Sequence, residues 1–174
     1  MPETATAVLR WLRRTEQVLL LLAFAVLVLV VFADVVSREF TGAGLFWASK
    51  TGVWANVIVV MCGFGLASAN GAHLRPRFAD RWLPESWEPQ LQTLQHVVTA
   101  LICLALGLLA ARVVYGSWQL GELSIDLFLP IWPVQLFLPL AFGVACLRHL
   151  IYAGYPALRP VEGGDSVFIG SGKA

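Results

Sequence analysis

Polar side chains fall in clusters along this chain, and four long apolar stretches separate the clusters. The first stretch runs from about Val18 to Val36 and the second from about Val53 to Ala69. The third runs from about Val97 to Tyr115 and the fourth from about Ile131 through Leu147 to Tyr152. Crossing the hydrocarbon of a bilayer takes ~20 mostly apolar residues, within a range of ~17–25. The first and third fit that length, and the other two reach it with their flanking aromatic residues. Inside lipid every backbone N–H and C=O must be satisfied within the segment, so each stretch predicts a helix. The expected fold is an all-α integral membrane protein with four transmembrane helices. The first stretch follows Arg10, Arg13 and Arg14 and contains Ala23-Phe24-Ala25, as a secretion signal would, but its apolar run continues to Val36 and three more follow. It is read as an uncleaved helix.

The polar clusters predict how the helices are joined. Between Asn70 and His96, Leu74, Phe78 and Trp82 recur every fourth residue beside Arg75, Arg77 and Arg81. That pattern predicts a short helix lying in the membrane interface, interrupted at Pro76. After Pro84 a new helix is expected to start near Ser86 to Pro89, where Leu91, Leu94 and Val98 carry one apolar face into the third stretch about two turns later. From Gly154 onward the chain is rich in glycine, so residues 1–153 are expected to form one membrane domain and 154–174 a flexible tail.

Charge sets the orientation. Nine of the twelve Lys and Arg lie before the first stretch, in the second loop or after the fourth stretch, and the other loops hold Arg38 and Lys50 with Arg112 close by. Cytoplasmic loops carry the excess of positive charge, which predicts an N-in/C-in topology. The seven tryptophans agree: Trp11, Trp82 and Trp87 fall at the predicted cytoplasmic interface, and Trp47, Trp54, Trp118 and Trp132 near the opposite one.

Composition narrows the chemistry. Only 13% of the residues are charged, against about 25% in ordinary soluble domains. The net charge of +1, with no basic run, argues against a nucleic-acid partner. Cys62, Cys103 and Cys146 stand in apolar segments without a C-x-x-C spacing, as buried small side chains do, and no metal site or cofactor is expected.

Few residues in the apolar stretches carry chemistry, and a protein that moves protons or polar solutes through its own core must place polar groups there. Asp34 is the deepest acid, and Arg38 lies four residues on along the same helix face. The pair reads either as a proton or ion site or as an interfacial ion pair that anchors the helix and meets a partner. Arg112 is open to an anionic solute, a lipid phosphate, or Glu122 or Asp126 in the next loop. Arg148 closes the fourth stretch as an anchoring charge. His73, His96 and His149 fall on the cytoplasmic side, at the rim rather than inside a bundle, where bis-histidine haem ligands would sit. Small residues four apart, Gly63 with Ala67, Gly65 with Ala69 and Gly107 with Ala111, predict close helix approach. Pro139 cannot donate to the carbonyl of Gln135, so a kink or local opening is expected in the fourth helix.

Three stretches in order resemble one family. Asp34-Val35-Val36-Ser37-Arg38-Glu39-Phe40 ends a hydrophobic helix in an arginine followed by an aromatic. Gly63-Phe64-Gly65-Leu66-Ala67-Ser68-Ala69-Asn70-Gly71-Ala72-His73-Leu74 is followed by Leu83-Pro84. Leu129-Pro130-Ile131-Trp132 precedes Leu138-Pro139-Leu140-Ala141-Phe142-Gly143 and Leu147-Arg148. Over about Glu16 to Tyr152 the chain resembles the small permease subunit (DctQ-like) of tripartite ATP-independent periplasmic (TRAP) transporters. It departs from that family after Trp47, where Ala48, Ser49 and Lys50 replace the usual acids.

The resemblance implies a non-catalytic subunit that braces a large permease subunit and helps dock a periplasmic solute-binding protein during sodium-driven uptake of an organic acid or similar solute. Membrane lipids would surround it. Candidate interface or anchoring residues are Asp34, Arg38, Trp47, His73, Arg112, Trp132, Pro139 and Arg148. Two alternatives stay open at this level: a b-type haem or quinone-linked membrane anchor, and a small homodimeric exporter with a titratable acid in the membrane.

Overall fold

A computed structural model describes residues 2–69 and 88–159. The predicted interfacial helix, with His73, lies outside the described residues. Among the described residues, four helices are long and apolar enough to cross a membrane. α1 spans Pro2–Thr41, α2 Ala48–Ala69 and α3 Glu88–Gln119. The fourth crossing is divided into α4, Trp132–Gln135, and α5, Phe137–Gly154. A 3₁₀ turn, Pro156–Leu158, follows.

Two helices outrun their apolar stretches. α1 has 40 residues, about 60 Å at ~1.5 Å per residue, or twice the ~30 Å hydrocarbon thickness. Hydropathy marks only its lipid-facing part; residues 3–17 contain no Gly or Pro and several strong helix formers, so the helix continues outward. α3 begins at Glu88, two turns before its apolar stretch, as the sequence predicts.

Helix ends follow local chemistry. α1 stops at Gly42, whose positive φ of 72° lets its N–H reach the Arg38 carbonyl at 3.0 Å. α3 stops at Gly121, φ 62°, with Glu122 N–H on the Ser117 carbonyl at 3.1 Å and Gly121 N–H on that of Trp118 at 3.2 Å. A small hairpin then carries the chain back. Ser124 N–H donates to the Leu129 carbonyl at 2.8 Å, and Ile131 N–H to that of Glu122 at 3.1 Å. The expected opening at Pro139 is found one turn upstream, between Gln135 and Phe137, where the missing proline N–H leaves the Gln135 carbonyl without its helical donor. Leu136 keeps helical angles, φ −58° and ψ −26°, so the interruption is a bend rather than a gap.

The four crossings form a layer rather than a closed bundle. α2 packs against α1 on one side and α5 on the other, and α5 packs against α3. Spatial order is α1–α2–α5–α3, with α1 and α3 as the edges. Buried positions are mostly small: Ala55, Cys62 and Ser68 on α2, Ala100 and Cys103 on α3, Ala145 and Cys146 on α5. Large apolar side chains point outward, among them Leu29 on α1 at 66% exposure. In lipid, burying leucine gains little, whereas small side chains let backbones approach and dispersion contacts accumulate. Of the predicted small-residue pairs, Gly65 is buried while Ala67 faces outward. A Cβ added to Gly107 would stand 3.4 Å from the Phe142 Cβ.

The chain does not leave the layer at Gly154. Arg159 donates to the Tyr152 carbonyl (2.9 Å), to Gln92 Oε1 (3.2 Å) and to Thr93 Oγ1 (2.7 Å). Residues 154–159, expected to lie in the tail, are therefore held against the layer, and residues 160–174 lie outside the described residues.

A Gly107→Leu substitution is expected to force α3 away from α5 and to cost about 1–3 kcal/mol of stability, read as a fall in melting temperature in detergent. Gly116→Leu, at a position where an added Cβ meets nothing within 4 Å, should leave the melting temperature of the isolated chain unchanged.

Candidate functional site: a polar tie across four helices

α5 runs from its bend to a turn where two successive residues, Arg148 and His149, are both buried. Successive helical side chains diverge by about 100°. Arg148 therefore faces α1 and α2, while His149 faces α2 and α3. Arg148 Nη2 donates to Glu16 Oε2 of α1 at 2.8 Å, and Nη1 donates to the Gly65 carbonyl of α2. The side chains of Arg148 and Glu16 are only 1% and 13% exposed. Gly65 is needed for this contact, because a Cβ there would lie 2.7 Å from the Glu16 Cδ.

His149 Nε2 lies 3.0 Å from Ser68 Oγ of α2, and its Nδ1 lies 3.0 Å from His96 Nδ1 of α3. Tyr152 completes the cluster, its ring 5.5 Å from that of His96 and 6.2 Å from that of His149 between centroids. A hydrogen bond between two Nδ1 atoms needs one proton and one lone pair, so two doubly protonated rings cannot make it.

This overturns two sequence expectations. Arg148 is not an anchor at the membrane surface but the most completely enclosed charge among the described residues. His149 and His96 lie inside the layer rather than at its rim. The reason is the same for both: a buried ionic or polar group in lipid seeks the nearest partner. Glu16, Ser68 and the Gly65 carbonyl escaped the sequence reading. One signal pointed to Glu16, an acid on the approach to the first stretch at the same end as Arg148, the lone Lys or Arg of the fourth. The rings of His96 and His149 lie 5.3 Å apart between centroids, tilted by 33°. Among the described residues no three His, Cys, Asp or Glu side chains converge as metal ligands.

The other predicted residues lie at the opposite end. Asp34 pairs with Arg38 at 2.7 Å and also accepts the Leu45 N–H at 2.7 Å, so it pins the turn from α1 into α2. Arg38 keeps its head in the open, with its side chain 65% exposed. Trp47, half-buried, precedes α2, and its carbonyl accepts the Thr51 hydroxyl at 2.9 Å. Trp132 and Pro139 line an open apolar groove of about 370 Å³ between α3 and α4–α5, with Val114, Tyr115 and Trp118. Arg112 is exposed on α3, and neither Glu122 nor Asp126 pairs with it. The predicted sites that lie among the described residues thus fall into separate groups, and none of these joins Arg148.

From Glu16 to Asp34 along α1 is about 27 Å at ~1.5 Å per residue, and no ionisable side chain lies between them on that helix. The polar tie and the Asp34 turn are separate groups, and among the described residues no acid lies between them. Cys103 and Cys146 pack together with Ala100 and Ala145 as free thiols in the α3–α5 contact.

Glu16→Gln leaves Arg148 enclosed without its counter-charge and is expected to cost about 3–5 kcal/mol. The double variant Glu16→Leu/Arg148→Met removes both charges and should recover most of that loss in thermal unfolding in detergent. A single variant as stable as the native chain would refute the tie.

Comparison with known proteins converges on one assignment. Residues 27–154 match the family described as tripartite ATP-independent periplasmic transporters, DctQ component. The match runs from the middle of α1 to the end of α5 and contains every part of the tie except Glu16. The small permease protein TeaB of an ectoine TRAP transporter from Halomonas elongata is 22% identical over 140 residues, covering 80% of this chain and 72% of that protein. With four membrane-length helices, the chain is a multi-pass protein of the bacterial inner membrane. It belongs to the DctQ component family, the small permease subunits of tripartite ATP-independent periplasmic transporters.

Proposed function

We propose that this chain is a non-catalytic brace: it holds the large permease subunit of its transporter in place and contributes to docking the periplasmic solute-binding protein. The observation that carries this reading is the mutual pairing of the polar groups that lie between its helices. Glu16 and Arg148 satisfy each other, and so do His96, His149 and Ser68. Asp34 is committed to Leu45 and Arg38. Such groups fix helices relative to one another rather than lining a path for a solute or a coupling ion. An open layer with two edges and two apolar faces is suited to lie against a larger membrane protein.

The excess of Lys and Arg at the Arg148 end puts that end, and both termini, in the cytoplasm. The Asp34 turn and the 122–131 hairpin then face the periplasm, where a binding protein arrives. Uptake would be driven by sodium and act on an organic acid or similar small solute, with its recognition in the other chains. The similar small permease protein from Halomonas elongata belongs to a transporter of ectoine, a small solute.

Vesicles holding the large permease with this chain should take up solute when the binding protein is added, and vesicles with this chain alone should take up none. Transport by the isolated chain would sink the reading. Asp34→Asn should weaken the α1–α2 turn by about 1–3 kcal/mol while uptake by the assembled complex stays within about twofold of normal. Abolished ion-coupled transport with assembly intact would instead favour a small self-sufficient exporter.

A further inference from the structure

The contact between His96 and His149 is governed by the number of protons it holds. The two Nδ1 atoms stand 3.0 Å apart, and His149 Nε2 stands 3.0 Å from Ser68 Oγ. Two neutral imidazoles carry one N–H each, on four ring nitrogens in all. One N–H bridges the Nδ1 atoms, and either ring can supply it. When His149 supplies it, its Nε2 is bare and accepts the Ser68 O–H. When His96 supplies it, His149 Nε2–H donates to Ser68 Oγ.

A first added proton is accommodated in both arrangements. It goes to the bare Nε2 of the ring that supplies the bridge, and the Ser68 hydroxyl can turn from donor to acceptor. The bridge survives. A second proton has only the bridging lone pair to take, and it sets N–H against N–H. The pair therefore titrates as a unit that admits one extra proton and refuses a second.

The surroundings add to that refusal. Among the described residues, α5 brings Arg148 and Tyr152 to the pair. α1 brings Glu16, already on Arg148, and Arg13, whose charge reaches Tyr152. Arg159, beyond α5, is held beside Tyr152 and Gln92. α2 contributes the Ser68 hydroxyl, and the Cys103 and Cys146 thiols pack further along the α3–α5 contact. Three arginines against one carboxylate make a poor place for two more positive charges. His149 is 1% exposed and cannot turn to water for solvation. His96 is half-buried, one residue before the third apolar stretch, and gives the pair its contact with solvent protons.

We propose that His96 and His149 form an acid-release clasp, which holds α3 to α5 while it carries at most one extra proton and lets go when both rings are charged. Below a pH of ~6.5 the unfolded chain binds a proton on both rings, whereas the clasp binds one. Stability therefore falls as pH drops below that value, in the limit by about tenfold in the folding equilibrium per pH unit. The clasp adds to the bracing role a condition under which the brace loosens. That the acid comes from the cytoplasm rests on the orientation given above.

Thermal unfolding of the full chain in detergent, between about pH 7.5 and about pH 5.5, tests the clasp. The melting temperature of the native chain should fall by about 3–6 °C over the most acid unit. His96→Gln keeps an acceptor for the His149 N–H without a second titrating ring, and should lose most of this dependence. Nitrogen NMR of the native chain, labelled in histidine, should show a scalar coupling between the two Nδ1 nuclei at neutral pH. The coupling should vanish as the second proton binds, and it decides the matter if the variant does not fold. No coupling at neutral pH, a melting temperature flat over this range, or a folded His96→Gln variant with the native slope would overturn the clasp. Each of those outcomes leaves the bracing role intact. Failure of the native chain to retain its large permease would sink that role and leave the clasp standing.

Discussion

The arrangement of this protein depends on one interaction in a medium that punishes its absence. Arg148 is an arginine without water, and it is stable there because Glu16 and the Gly65 carbonyl take its donors. In lipid an apolar face does not choose between a helix and an acyl chain, so leucine-rich surfaces cannot specify which helices meet. A charge that must find its counter-charge can. Arg148 ties α5 to α1 and α2, and His149, the next residue, ties it to α2 and α3. One turn of α5 thereby fixes the order of the layer.

The remaining contacts adjust to that order. Small residues line the α2, α3 and α5 contacts, and the approach they permit is close enough that the polar groups reach each other directly. Gly65 shows how the two requirements meet, since its missing side chain leaves the space in which the Glu16 carboxylate sits. At the other end Asp34 plays a more local part, holding the turn between consecutive helices through a backbone N–H. The layer is thus held across its width at one end and by its connections at the other.

The fold was largely legible in the sequence because membrane thickness converts directly into the length of an apolar run. Four runs gave four crossings, and Pro139 gave the bend in the last. The extension of α1 toward Pro2 was hidden because its amphipathic part leaves no mark on a hydropathy profile. The polar tie was illegible for a different reason. A sequence shows that Arg148 and His149 sit near the end of a run but not that their partners come from three other helices. That pairing depends on the α1–α2–α5–α3 order, which no single segment encodes. Asp34 and Arg38 were legible as a pair because four residues on one helix already bring them together. The hairpin at residues 122–131 rests on backbone pairing between positions with no strand-like pattern.

The distance along the chain between Glu16 and Arg148 has a consequence for how the protein is made. The two are 132 residues apart. At about 5–20 residues per second, translation separates their appearance by on the order of ten seconds. During that interval α1 and α2 can enter the bilayer as a first hairpin while the Glu16 carboxylate waits near the membrane surface. The second hairpin, α3 with α4–α5, brings Arg148 last. Biogenesis is thus completed by its final membrane turn: the two hairpins are inserted separately, and they become one object only when the arginine arrives.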